Sequence, residues 1–193
     1  MAKVILSFLL SFSCGLAIAA PKEFMVDTAK STVTRRGKKV TGEHHGLIKI
    51  KKGQLVFKEN QFTGGNFIID MTSITNLDLE NPEYNTKLVN HLKSDDFFSA
   101  DKFPETRLTI KKVEPIKAPD YKIFGDLTIK DKTLPVEFKS TVSQKDNKAT
   151  LNTKLVIDRT NYGIQYKSGK FFKSLGDKLI YDDFEVDVKL VAQ

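Results

Sequence analysis

The sequence predicts an all-β protein: one long antiparallel sheet, closed into a barrel or folded into a sandwich, with a single helical stretch set into it. Three observations carry this. Apolar and polar residues alternate along most of the 193-residue chain, the period of a strand with one wet and one buried face. Roughly eight such runs follow one another, mostly joined by tight-turn sequences. Helical period occurs in one place, at about residues 82–98. A sheet of that length must close or sandwich to hide its edges.

Phe24, Val26 and then Val33 open the domain in extended conformation. Ile48 and Ile50 alternate with Lys49 and Lys51. Gly53 is expected to turn the chain, with Leu55 and Phe57 beginning a return strand. Asn60-Gln61 marks the next turn. After Gly64-Gly65, the residues Phe67, Ile69 and Met71 share one face, with Asn66, Ile68 and Asp70 opposite. The period then changes. Asn81 is a good N-cap, Pro82 suits the first helical position and Glu83 falls in the first turn. Tyr84, Leu88 and Leu92 recur every four residues and predict one apolar helix face. Ser94-Asp95-Asp96 ends or re-caps the helix, Phe97-Phe98 follows, and Phe103-Pro104 reads as a loop.

Strand period then returns. Leu108 shares a face with Ile110, and Ile123 with Leu127 and Ile129 around Gly125. Leu134, Val136, Phe138 and Val142 stand opposite Glu137, Lys139 and Thr141. Asp146-Asn147 turns the chain into Leu151, Leu155 and Ile157. After Asp182-Asp183, a last strand sets Phe184, Val186, Val188 and Leu190 against Glu185, Asp187 and Lys189. In a barrel of this size the interior is either filled by side chains or holds one small ligand, and periodicity does not distinguish the two.

The first nineteen residues read as an export signal. Lys3 supplies the positive region, Val4 to Leu10 with Phe12, Leu16 and Ile18 the apolar region, and Ala17-Ile18-Ala19 the cleavage site. One mature domain is therefore expected over residues 20–193, in the periplasm. The apolar run is short for a membrane span and is broken by Ser7, Ser11, Ser13 and Gly15. Ser11 and Phe12 do not suit acylation of Cys14. Cys14 is the only cysteine, so processing would leave neither disulfide nor thiol chemistry. A chain of about 174 residues holds a full core without staples.

The formal charge is +7, and the cations are nearly all lysines; the arginines are Arg35, Arg36, Arg107 and Arg159. The lysines alternate with apolar residues, as on a solvated strand face. A nucleic-acid site calls for clustered arginine with exposed aromatics, so no nucleic-acid partner is expected. Transient contact with an anionic membrane surface fits the charge. A homodimer is left open.

Four strings then stand out in order. They are Gly64-Gly65-Asn66-Phe67-Ile68-Ile69-Asp70-Met71-Thr72-Ser73-Ile74; His91-Leu92-Lys93-Ser94-Asp95-Asp96-Phe97-Phe98 with Pro104; Gly125-Asp126-Leu127-Thr128-Ile129-Lys130 with Thr133 and Pro135-Val136; and Ile157-Asp158-Arg159-Thr160-Asn161-Tyr162-Gly163-Ile164. Together they resemble the YceI-like family of exported polyisoprenoid-binding proteins, from about Val26 to Val191. The resemblance implies an antiparallel lipocalin-like barrel of about eight strands, with one or two short helices over one end. It implies a polyisoprenoid, a quinone tail or a similar long amphiphile as ligand, and no enzyme activity. Arg35 stands where the family commonly has Trp, and this chain contains no Trp. Asp131 stands where a Gly is usual.

The residues expected to contact an apolar chain are Phe67, Ile69, Met71, Leu88, His91, Leu92, Phe97, Leu108, Ile110, Leu127, Ile129, Val136, Phe138, Leu155, Ile157, Arg159 and Phe171. His91 either caps the cavity or is a satisfied structural histidine. Asp70 and Arg159 either pair with each other to fix register or meet a head group. Phe97-Phe98 and Phe171-Phe172 are core or gate the rim. His44-His45 beside Glu43 suggests metal binding, but neighbours on a strand point to opposite faces, so no metal and no other cofactor is expected. No catalytic triad or G-x-S-x-G is present, and turns or caps account for the paired acids Asp95-Asp96 and Asp182-Asp183. The competing readings are an enzyme of lipid or quinone chemistry using Asp70, His91 or Arg159, and a solidly packed interaction module.

Overall fold

The computed structural model describes residues 20–193; the expected export signal lies outside the described residues. In chain order the elements are β1 (Lys22–Met25), β2 (Thr32–Lys39), β3 (Gly42–Lys58), β4 (Gln61–Asp70), α1 (Pro82–Lys93), β5 (Glu105–Lys117), β6 (Asp120–Ile129), β7 (Lys132–Lys145), β8 (Lys148–Asp158) and β9 (Ile180–Ala192). The strand order is β1-β3-β2-β9-β8-β7-β6-β5-β4, and a further β3–β4 ladder closes the sheet. Eight strands, β2 to β9, form a closed antiparallel barrel of the lipocalin-like kind, and β1 is an extra strand. Closure removes the edges that so long a sheet would otherwise expose.

The length of β3 makes room for the extra strand. Its first part pairs with β2 over Gly42–Ile48, and its later part pairs with β1 over Gln54–Phe57. Gly53 therefore does not turn the chain, as the sequence had suggested. It lies within β3, where a Cβ would sit 2.6 Å from the Phe67 ring and 3.0 Å from the Asn66 carbonyl oxygen. The glycine serves close approach of backbone and ring, a common role for glycine inside a strand. The turn comes at Glu59 and Asn60, both with positive φ (50° and 63°), before β4 returns along β3.

One end of the barrel is sealed by aromatic packing. Phe24, Phe57, Phe62 and Tyr121 form a chain with ring centroids 5.3, 5.5 and 5.7 Å apart. The long β4–β5 and β8–β9 connections lie at the other end. The first contains a single helix, α1, and it begins as the sequence predicts. Asn81 accepts from the Glu83 and Tyr84 N–H groups, and Pro82 follows. The predicted apolar face is only partly used. Tyr84 is exposed, Leu88 and Leu92 are half-buried, and no residue of α1 is fully buried. The helix is tethered instead by Asn85, whose amide donates to the carbonyls of Asn76 and Leu79.

Candidate functional site

The alternation of each strand places one set of side chains inside the barrel, and these do not fill it. A cavity of about 110 Å³ remains. Its wall is apolar apart from Thr106 and Thr153. Thr153 donates to the Lys139 carbonyl, whereas the buried hydroxyl of Thr106 has no partner among the described residues. For scale, an apolar protein cavity of ~150 Å³ accepts benzene. The hollow thus has room for a slender branched hydrocarbon fragment without rearrangement. Phe98 and Phe184, edge to face at 6.0 Å, form part of its wall.

Ten of the residues singled out from sequence line this cavity: Phe67, Ile69, Met71, Leu108, Ile110, Leu127, Ile129, Phe138, Leu155 and Ile157. Val33, Ile48, Ile50, Leu151, Val186, Val188 and Leu190 line it as well. Their alternation was visible in the sequence. Which level of each strand reaches the hollow depends on barrel stagger, which alternation does not encode.

The other singled-out residues stand elsewhere. Val136 faces inward opposite Gly125 but packs on the core away from the cavity. Leu88 lies half-buried on α1 and Leu92 packs against the core margin. His91 bonds Asp96 at 2.9 Å and meets the rings of Phe97 and Tyr166 edge-on at 5.0 and 4.7 Å, which makes it a rim residue tied to its neighbours. Phe97 is buried in that cluster, while Phe171 and Phe172 are about half exposed. Segments outside the ladder follow loop packing, so strand parity says nothing about them.

Arg159 does not pair with Asp70. Asp70 caps a short 3-10 turn by accepting from the Thr72 N–H and hydroxyl. The buried Arg159 guanidinium donates to the carbonyls of Tyr181, Ile164 and Ile180 at 3.1, 2.9 and 3.0 Å, with Asp182 at 3.5 Å. Burial lowers its pKa, opposed by the charges of Asp182 and Asp158. The arrangement is a clamp on the β8–β9 connection.

Arg35 is the second buried arginine. It pairs across the ladders with Gly46 and with Val186, a residue of the cavity wall, so its side chain starts on the interior face. Its Nη2 donates to the Thr75 carbonyl at 2.5 Å. Burial pushes its pKa down to about 10, with the Asp78 charge opposing, so it stays cationic at neutral pH. The segment after β4 lies directly on β3 here, since a Cβ on Gly46 would come within 2.0 Å of the Thr75 oxygen. Asp78 accepts from the His45 N–H at 2.8 Å and bonds His44 Nδ1 at 2.6 Å. Burial works against its ionisation, yet these bonds hold its carboxyl below the ordinary value. Among the described residues, no three His, Cys, Asp or Glu side chains are grouped so as to hold a metal ion.

The barrel wall has a seam. The β7–β8 ladder runs only from Lys145↔Lys148 to Ser140↔Thr153, and beyond it the two strands part. A groove of about 490 Å³ lies there. Phe138, Leu155 and Ile157 line both this groove and the cavity, while Pro135, Glu137, Lys154 and Val156 line it from the outer face. Pro135 fits an unpaired stretch, because proline lacks the N–H a ladder needs.

Comparison with known proteins places this geometry in a family. The model of the YceI-like domain matches residues 24–192, so the chain belongs to the YceI-like domain family. UPF0312 protein SAS2572 of Staphylococcus aureus (strain MSSA476) is 36% identical over 84 residues, 40% of this chain and 46% of the relative. The alignment thus spans less than half the length of that relative. BcnA of Burkholderia cenocepacia is similar in structure, with a TM-score of 0.69 and 26% identity over 87% of this chain and 99% of BcnA. A polyisoprenoid binding domain from Saccharophagus degradans implicated in plant cell wall breakdown shares the fold at 10% identity and TM-score 0.64, over 88% of this chain and 97% of that one. The YCEI protein of Campylobacter jejuni does so at 19% identity and TM-score 0.54, over 98% and 99%.

Proposed function

We propose that this barrel holds the hydrocarbon chain of a polyisoprenoid, a quinone tail or a similarly slender amphiphile, and that the protein acts as a carrier in the periplasm. The observation that supports the reading most is the hollow itself, an interior left unfilled and walled by Leu, Ile, Val, Met and Phe. Its family and the polyisoprenoid binding domain of the same fold point the same way. The export features of residues 1–19, Lys3 and Ala17-Ile18-Ala19 among them, support the location.

Each buried methylene contributes about 0.8 kcal/mol, so one isoprene unit offers roughly 3–4 kcal/mol. Two or three units offset an association cost of about 4–15 kcal/mol. The hollow at about 110 Å³ takes only a fragment of such a chain. A longer chain needs the wall to widen, and the β7–β8 seam gives way without breaking a ladder hydrogen bond. Binding fits better than catalysis because the wall presents hydrocarbon and two threonine hydroxyls, which are poor general acids or bases.

Native mass spectrometry of the protein as purified tests the proposal. The expected result is an added mass in the lipid range that denaturation releases. Protein that carries no such mass and also fails to take up an added prenyl alcohol would overturn it.

A further inference from the structure

We propose that Arg35 and Asn76 form a head-group site at the end of the tube, one that receives the oxyanion of an amphiphile. The inference rests on the reading that the barrel holds such a chain. Arg35 and Asn76 are each only 6% exposed. Their polar atoms are not satisfied: Arg35 Nε, Asn76 Nδ2 and Asn76 Oδ1 are all buried without a hydrogen-bond partner among the described residues. The two residues are neighbours through the Arg35 bond to the carbonyl of Thr75, the residue before Asn76.

Arg159 shows what a structural arginine looks like in this protein. Three carbonyls take its donors and Asp182 stands nearby. Arg35 has one carbonyl, and no carboxylate lies within ion-pair distance of it among the described residues. The acid whose charge acts on it, Asp78, is already bonded to His44 and to the His45 backbone. A buried cation with a free donor, beside an amide with free donors and a free acceptor, is a costly arrangement when empty. It is a suitable one for a carboxylate or phosphate, to which arginine donates strong charge-assisted bonds.

Position agrees with chemistry. Arg35 is directly across from Val186 of the cavity wall and two residues along β2 from Val33, also of that wall. It therefore stands next to the lining without belonging to it, where the end of a chain that outgrows the hollow would reach it. Asn76 is flanked by the exposed Thr75 and Leu77, so the site lies one residue below the surface. A head group there stays near water while its tail runs down the tube.

Binding of farnesol, farnesyl phosphate and a long-chain fatty acid to the wild type, R35Q and N76A provides the test. The wild type should bind at least one of the two anions about 10-fold or more tightly than farnesol. R35Q should abolish that preference and leave farnesol affinity unchanged; N76A should reduce the preference several-fold. Which anion is preferred tells phosphate from carboxylate. Equal wild-type affinity for charged and neutral ligands would overturn the proposal and mean that water satisfies these groups. So would an R35Q variant that loses all three ligands alike. Loss of farnesol binding by the wild type would instead refute the underlying chain-binding reading. N76A, which removes no charge, keeps the test open should R35Q fail to fold.

Discussion

Replacing Arg159 by methionine separates its role from that of Arg35. Met keeps much of the side-chain volume and loses all the donors, so the carbonyls of Tyr181, Ile164 and Ile180 lose their partner. Hydrogen bonds from a charged donor are worth about 1.5–3 kcal/mol each. Several kcal/mol return because a charge need no longer be buried. The balance is a loss of about 3 kcal/mol. For a domain of this size that lowers Tm by roughly 6–12 °C. Thermal unfolding by circular dichroism reads the shift, and native mass spectrometry reads any retained ligand. A Tm within 2 °C of wild type would refute the clamp. A stable variant that lost a retained ligand would show that Arg159 serves the ligand after all.

Thr106→Val removes an unpaired buried hydroxyl from the cavity wall at nearly constant shape. It should stabilise by up to about 1 kcal/mol, seen as a small rise in Tm; a clear fall would mean that the hydroxyl has a partner. Within Leu134–Lys139, which pairs with β6 but not β8, the amides that point toward β8 should exchange faster than the β8-bonded amides of Ser140–Lys145. Equal protection would mean that the seam is closed. Glu185 binds Lys154 and Lys38, each at 2.8 Å, and these bonds hold its carboxyl down to about 2. A depressed carboxyl stabilises the fold above its unfolded pKa near 4.5 and ceases to as pH falls through about 2. Glu185→Gln should therefore cost stability at pH 7 and little by pH 2. A constant difference across that range, followed by melting, would contradict the pairing.

Local chemistry was readable wherever it did not depend on distant residues. Asn81-Pro82-Glu83 announces a helix start because a cap needs only its own next few N–H groups. The inward sets of β6 and of most of β7 follow from period alone, and Ile123, Leu127, Ile129 and Phe138 are all buried. Gly53 was misread because a glycine that ends a strand and one that admits a ring look the same in one dimension. What makes the difference is Phe67, on the next strand. Phe171 is a related case: its segment has no ladder to impose a face, and its ring is about half exposed.

The division between the two kinds of information follows from range. Alternation, turn residues and caps act over a few residues, so the chain alone determined an antiparallel all-β protein with one helix and an oily inner face. Closure, stagger and the splitting of β7 from β8 depend on residues far apart meeting at particular heights. Only the tertiary structure decided that a hollow remains, that Val136 misses it, and that of two interior arginines one is saturated while the other keeps a donor free.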